Sequence, residues 1–380
     1  KRHRARATSM SVALGSLVQY GDVQLSGCWR WEWDMEQVRF AVLGSSMISD
    51  NFIETVGSSP HARYVGSMCR SLDKAERVTH DRGGMCAFSR VEEVAACEDV
   101  DAAYIATPNA IHYGQALSLI RAGKHVLVEK PIASDARKVA QLFDAARDAG
   151  VVAMEAMRPV HDPGIAKVKE LLPRIGAVRR ASLRYGKYSS RYDELLAGSH
   201  TNIFDARLAT GALMDLGVYC VETMVALFGA PHAIACSSVL VSNGREELTG
   251  GPIDGAGTIV ASYGNHVVNL DYSKVTQDLL PCQIEGESGT IVFEGVDGPT
   301  SGRMRIRGRA VRNAAKSSVR SVGDVDEEIT FDLCDNNMIF ELEDFIACIA
   351  GERDFEEFAR ISLTSLQIMD EARRQSGIVF

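Results

Sequence analysis

His125-Val126-Leu127-Val128-Glu129-Lys130-Pro131 decides the reading of this chain, because an apolar run ends in a charged tripeptide and sets a lysine at the carboxyl end of a buried strand. In an open parallel sheet, ligands bind in the crevice outside those strand ends. A Lys-Pro bond also adopts the cis form far more readily than other peptides. Working outward, Val38 to Leu43 reads as a short buried strand that stops at Gly44, and Met47 to Val56 carries apolar residues at helical spacing. Tyr64 to Met68 supplies a second strand, followed by Cys69-Arg70-Ser71 and a helix around Asp73 to Val78. Ala102 to Ala106, a helix Tyr113 to Ala122, the strand at His125, a helix Asp135 to Ala149 and a strand Val151 to Met154 continue the alternation. This rhythm predicts an α/β domain over residues 37–157, built on a doubly wound parallel sheet with right-handed crossovers.

Beyond about residue 157 the pattern changes. Ile234 to Val241, Gly257 to Tyr263, His266 to Tyr272 and Thr290 to Glu294 read as longer strands, and Gly264-Asn265 between two of them is a hairpin signal. Residues 158–380 are therefore expected to form an α+β domain with a large, mainly antiparallel sheet and helices on one side. The uncovered face calls for a second copy, giving a homodimer or homotetramer through this sheet. Arg303, Arg305, Arg307 and Arg309 alternate, and Asp324, Asp326, Glu327 and Glu328 follow, which predicts a hairpin pairing charges across its strands.

The chain has 380 residues, 46% hydrophobic, and a formal net charge of -9, so no general positive field gathers nucleic acid or an anionic membrane. Small-molecule chemistry becomes the default. The nine cysteines form no C-x-x-C pair and are odd in number, which fits reduced thiols in a cytoplasm. No zinc spacing appears, and His161-Asp162 lacks a spaced second histidine, so no metal is expected. Gly, Ser and charged residues interrupt every apolar run, so none is expected to span a membrane. Residues 1–36 read unlike the rest. Lys1, Arg2, Arg4 and Arg6 precede a feebly apolar stretch, Trp29, Trp31 and Trp33 follow, and Met35 stands just before the first strand. They are read as an extension rather than a signal peptide.

Gly44-Ser45-Ser46-Met47-Ile48-Ser49 occupies the place of a dinucleotide fingerprint while keeping only the first of its three glycines. The turn still needs Gly44, and the following helix still offers free N–H groups to a pyrophosphate. The bare alternative is a strand, turn and helix with no ligand. At the end of the second strand an acid would hold the ribose of NAD; Arg70 and Ser71 stand there instead and suit a 2′-phosphate, so NADP is expected as cofactor, with NAD the second choice. A solvated arginine at a helix start is the plain reading of the same residue. Thr107-Pro108-Asn109 with His112 ends another strand at the same edge, although His112 serves equally as a helix cap. Met157-Arg158, His161-Asp162, Ser189-Ser190-Arg191 and Asn202 follow as further polar groups on the cofactor or substrate side.

The glycine turn, Ala106-Thr107-Pro108-Asn109 with His112, Glu129-Lys130-Pro131, and Gly211-Ala212-Leu213-Met214-Asp215-Leu216-Gly217-Val218-Tyr219 together resemble the Gfo/Idh/MocA oxidoreductase family over about residues 37 to 380. Within it the chain looks like the branch of dimeric dihydrodiol and xylose dehydrogenases, since Tyr219 stands where many members carry histidine. The resemblance implies a Rossmann domain and hydride transfer between a nicotinamide and a hydroxyl-bearing carbon of a sugar, polyol or cyclic diol. Lys130 and Tyr219 would then face the reacting oxygen. The residues support this separately, because Asp215 and Tyr219 are four apart on a predicted helix and share a face. An adjacent Lys130 ammonium is expected to lower the Tyr219 phenol, making Tyr219 the acid/base, Lys130 the group that orients the substrate hydroxyl, and Asp215 the group that positions sugar or lysine. Two alternatives stay open within the resemblance: a glycoside hydrolase acting by transient oxidation with NAD, and a non-catalytic dinucleotide-binding regulator, against which the presence of both Lys130 and Tyr219 argues.

Overall fold

Strand β1 (Val38–Leu43) alternates its side chains so tightly that both faces are buried: Phe40 and Val42 face one layer, Ala41 and Leu43 the other. The computed structural model describes residues 37–380 apart from 243 and 314–317, and the expected N-terminal extension with its three tryptophans lies outside the described residues. After β1 come β2 (Ala62–Met68), β3 (Cys86–Phe88), β4 (Ala102–Ile105), β5 (His125–Glu129) and β6 (Ala153–Ala156). All pair in parallel in the order β3-β2-β1-β4-β5-β6. The order reverses between β1 and β4, which puts Gly44 at the switch point where such sheets open a crevice.

Helix Asn109–Arg121 and helix Ala136–Ala149 cover one face through Leu119, Ile120, Val139, Leu142 and Phe143. Helix Met47–Ser58 covers the other through Phe52 and Val56, with Phe52 stacked on Tyr104 at 3.7 Å between ring centroids. Helix Met338–Ile349 completes that second face, packing Leu342 and Phe345 against β1, with Phe345 and Phe40 at 6.0 Å. The chain thus returns to the first sheet near its end. The sixth strand also begins two residues later than expected, because the Val151 amide still closes the preceding helix on the Ala146 carbonyl.

The second sheet contains β7 (Val178–Gly186), β8 (Ala233–Leu240), β9 (Asp254–Ser262), β10 (Val267–Ser273), β11 (Cys282–Gly286), β12 (Gly289–Glu294) and β13 (Ser301–Ile306). A small ladder of β14 (Arg309–Asn313) and β15 (Ser318–Val322) stands apart, and β16 (Val325–Ile329) rejoins the large sheet, whose order is β16-β13-β12-β11-β7-β10-β9-β8. Every pair in it is antiparallel except β7 with β10. Gly264 lies in the turn that joins β9 to β10, as its hairpin signal predicts. The charge alternation becomes cross-strand pairing of β13 with β16, Arg303 opposite Glu328 and Arg305 bonded to Asp326 at 2.6 Å. Helices Val218–Phe228 and Glu356–Ser376 cover one face of this sheet. On the other, Val239, Val260 and Val267 remain exposed beside a concavity of ≈ 460 Å³ lined by Ser237, Thr258 and Asp271. Segment Ala206–Phe228 corrects one expectation, being long and apolar enough by composition to cross a membrane, yet 83% of its apolar 18-residue window is buried in this core.

Candidate functional site

Gly44 has φ +128, and a Cβ there would lie 2.6 Å from the Ala106 carbonyl oxygen, so the ends of β1 and β4 approach as only glycine allows. Ser46 and Met47 open the following helix, both exposed, while Ile48 is half-buried. Ser49, where a third fingerprint glycine would stand, is buried and turns its hydroxyl back onto the Ser46 amide (3.3 Å). Helix Met47–Ser58 begins at this turn, where the first N–H groups of a helix lack carbonyl partners of their own. Ser45 sits in the same turn, exposed. Across the β1–β2 ladder, Leu43 pairs with Met68 and the Gly44 amide donates to the Met68 carbonyl (3.1 Å). That brings Arg70 and Ser71 alongside the turn, both exposed, with Arg70 making no ion pair among the described residues. A cradle that a Cβ would fill, an open helix start and a free guanidinium beside it fit a dinucleotide.

Thr107, Pro108 and Asn109 form the rim at the end of β4. Thr107 bonds Gln115 (2.7 Å), and the Asn109 amide donates to the Ala209 carbonyl of the second half (2.9 Å). His112 does not reach the crevice. It is wholly buried, with Nδ1 3.0 Å from the Pro131 carbonyl and Nε2 2.6 Å from that of Thr107, so it ties two rim loops together. Desolvation pulls its pKa down despite these two acceptors.

Lys130 follows β5 ahead of a cis Lys130–Pro131 bond. Its Nζ donates to the Asp215 side chain (2.7 Å) and to the Asp215 carbonyl (2.9 Å), and lies 4.9 Å from the centroid of the Tyr219 ring. Glu129 accepts from the Tyr104 hydroxyl and from the Lys130 amide (3.2 Å), which anchors the turn. Asp215 belongs to a π-helical turn, Leu213–Gly217, that runs into helix Val218–Phe228 carrying Tyr219. Turns of this kind widen a helix where a side chain must be aimed. The Lys130, Asp215 and Tyr219 side chains meet as the sequence suggested, joined by one that sequence reasoning missed. Lys274, just past β10 and 6% exposed, bonds the second oxygen of Asp215. Its one signal was a lysine ending an alternating strand at the sheet edge. Tyr185 was also missed; it meets Tyr219 edge-on at 5.3 Å and donates to Asp297 (2.7 Å).

The electrostatics follow from this packing. Burial opposes ionisation of Asp215, but Lys130 and Lys274 overcome it and hold the carboxyl well below the usual range. Burial also works against the Lys130 ammonium, yet Asp215, Tyr219 and Glu129 outweigh it and push its pKa up. Lys274 shares the same carboxylate with fewer anions around it and moves down, burial being the main cause. The expected lowering of Tyr219 is overturned: desolvation of a phenolate at a buried position exceeds the pull of Lys130 and Arg158, so its pKa is raised. The Tyr219 hydroxyl makes no hydrogen bond with any described residue and is free for a ligand oxygen.

Arg158 opens the short helix after β6. It is half-buried and forms no hydrogen bond or ion pair among the described residues, while Tyr219, Glu341 and Glu129 act on its charge. Asn202 is exposed on the segment that Asn109 anchors. His161 (2.7 Å from Asp344), Asp162 (accepting from Gly164, 2.8 Å) and Arg191 (2.6 Å from Glu194) are spent on local structure and do not join the site.

Asp254 explains Gly211. The Asp254 carboxylate accepts from the Leu213 amide (2.8 Å) at the head of the Asp215 turn, and a Cβ on Gly211 (φ +116) would run into it. Burial pushes Asp254 up to about 7. A carboxyl whose folded pKa lies above its unfolded value stabilises the fold at low pH and loses that contribution as pH rises through the folded value. Between pH 5 and about 7, the contribution of this one carboxyl should therefore fall by about 2–3 kcal/mol and then level off. Asp254→Asn should flatten this slope in urea denaturation at pH 5 and pH 8; an unchanged slope would count against it.

Fold and site define a nicotinamide-dinucleotide oxidoreductase. Residues 38–157 match the oxidoreductase family with an NAD-binding Rossmann fold, and residues 165–292 match the GFO/IDH/MocA C-terminal domain. The chain is 36% identical over 346 residues to scyllo-inositol 2-dehydrogenase (NADP(+)) IolU of Bacillus subtilis (strain 168), covering 90% of this chain and 98% of that one. It is 26% identical to trans-1,2-dihydrobenzene-1,2-diol dehydrogenase of Mus musculus, with the same coverage. The 3-ketoreductase KijD10 of Actinomadura kijaniata, solved with NADP and TDP-benzene, shares the fold at TM-score 0.75 and 19% identity, covering 90% of this chain and 98% of that one. The chain belongs to the Gfo/Idh/MocA oxidoreductase family.

Proposed function

We propose that this enzyme oxidises one ring carbon of a trans-vicinal cyclic diol or polyol, with NADP preferred. The observation that carries the reading is Lys130 held on Asp215 beside an unengaged Tyr219 hydroxyl, at the strand end next to the Gly44 turn. Bound dinucleotide supplies the hydride acceptor. Gly44, Ser45, Ser46, Met47 and Ile48 would cradle its pyrophosphate, Arg70 and Ser71 its 2′-phosphate, and Thr107, Pro108 and Asn109 the rim. Lys130 uses two of its three N–H groups on Asp215, which leaves one for the substrate oxygen. Tyr219 exchanges the proton, Asp215 and Lys274 fix Lys130, and Arg158 and Asn202 contact the flanking hydroxyls. The relatives' names supply the substrate class, since scyllo-inositol and trans-1,2-dihydrobenzene-1,2-diol share adjacent hydroxyls on a six-membered ring.

An absorbance assay of NADPH formation over scyllo-inositol, trans-dihydrodiols, aldoses and their cis-diol counterparts tests this. Turnover on trans-diols is the expected result, and none on any diol despite dinucleotide binding would sink it. Arg70→Ala should weaken NADPH binding by roughly 10–100-fold and leave NADH unchanged, since a charge-assisted contact is lost. A wild-type preference for NADH would refute the cofactor assignment. The helix-free face with Val239, Val260 and Val267 supports a homodimer or homotetramer, and eight free cysteines among the described residues support a reducing cytoplasm.

A further inference from the structure

The opposite end of the first sheet carries a feature that the oxidoreductase site does not use. Cys86 begins β3, Cys97 caps helix Val91–Ala96, and Asp99 follows two residues on, so the chain spacing gives no zinc signature. Folding nevertheless brings the two Sγ atoms and the Asp99 carboxylate within 4.8 Å of one another. Neighbouring ligand atoms on a tetrahedral ion with thiolate bonds lie about 3.8 Å apart, so small rotations suffice. The cluster sits at the amino ends of the strands: Cys86 is the first residue of β3, and Asp101 pairs its amide with Arg39 near the start of β1. Lys130 stands at the carboxyl ends.

Asp99 is free to turn. Its one ion pair is with Arg39 at 3.2 Å, its side chain is 66% exposed, and Arg39 is already held by Asp101 through two bonds of 2.8 Å and by the Glu98 carbonyl at 2.8 Å. Two thiolates and a carboxylate bring three negative charges against two on the ion. Arg39 and Lys124, the latter bonded to the Cys97 and Val100 carbonyls at 2.8 and 2.7 Å, offset the remainder.

We propose that Cys86, Cys97 and Asp99 bind one thiophilic divalent cation, zinc being the fit by ligand softness, with water as the fourth ligand. Binding forms two metal–sulfur bonds and one metal–oxygen bond and releases two thiol protons to solvent. The ion would clasp the three-residue edge strand β3 to the loop that feeds β4.

Cobalt(II) added to the full chain under a phosphine reductant is the probe. One equivalent should produce a thiolate-to-cobalt absorption in the near ultraviolet, displaced by zinc. Cys86→Ser and Cys97→Ser should each abolish it, Asp99→Asn should weaken binding by about tenfold or more, and Cys334→Ser should leave it intact. In the unaltered chain, zinc should slow alkylation of Cys86 and Cys97 and leave exposed Cys334 as reactive as before, a readout independent of how the variants fold. Absence of the band, its survival in both cysteine variants, or a Cys86–Cys97 disulfide under the reductant would overturn the proposal.

Discussion

Lys130→Met is expected to lower kcat by about 10²–10³-fold while dinucleotide binding, followed by fluorescence, changes little. The Lys130 ammonium is half of the only cation–carboxylate bridge aimed at the Tyr219 ring among the described residues. Methionine keeps the length and packing of the stem and removes charge and donors. What is lost is stabilisation of oxygen charge in the transition state, a contribution on the order of 3–4 kcal/mol for a preorganised donor in a water-poor site. Asp215 retains Lys274, so its carboxylate is not abandoned and the fold should hold. Lys130→Arg should not rescue turnover, because a planar fork cannot take the place of a point donor on one oxygen. Turnover within tenfold of the unaltered enzyme in Lys130→Met would remove Lys130 from the chemistry.

Tyr219→Phe should cost about 10²–10⁴-fold in kcat, the usual range for a positioned acid or base, and it carries a pH signature. Because burial raises the Tyr219 phenol, the protonated form dominates at neutral pH and is ready to protonate a carbonyl undergoing reduction. Oxidation of the alcohol needs the deprotonated form, whose population grows about tenfold per pH unit below the raised pKa. Oxidation should therefore accelerate from pH 7 upward while reduction stays level, and Tyr219→Phe should lose the slope together with the rate. A steep slope persisting in the phenylalanine variant would move the proton role to another group, with Lys274 the first candidate on position.

Much of the dinucleotide half was legible because its strands are continuous apolar runs separated by helices of clear period, and strand ends fix where charged side chains emerge. Glu129-Lys130 needed only that logic. β3 was missed since three residues carry no periodicity, and β7 was missed because Arg179, Arg180 and Arg184 break its apolar alternation; Arg180 and Arg184 are instead satisfied by Glu285 and Asp271. Lys274 and Tyr185 reach the site from separate strands, so only the closed sheet shows that they meet Asp215 and Tyr219. The sign of the Tyr219 shift depended on burial depth, which a neighbouring charge in the sequence does not reveal.

Helix Met338–Ile349 returns to pack on β1, and helix Glu356–Ser376 then packs on the second sheet and on helix Ala136–Ala149, so the backbone passes between the two halves three times. Three crossings, the last a helix wedged against both halves, tie them together far more firmly than a single linker would. Any motion that widens the crevice must draw Asp215 away from Lys130 and Ala209 away from Asn109. A closed crevice and an anchored lysine are therefore one arrangement, and parting the halves would undo both.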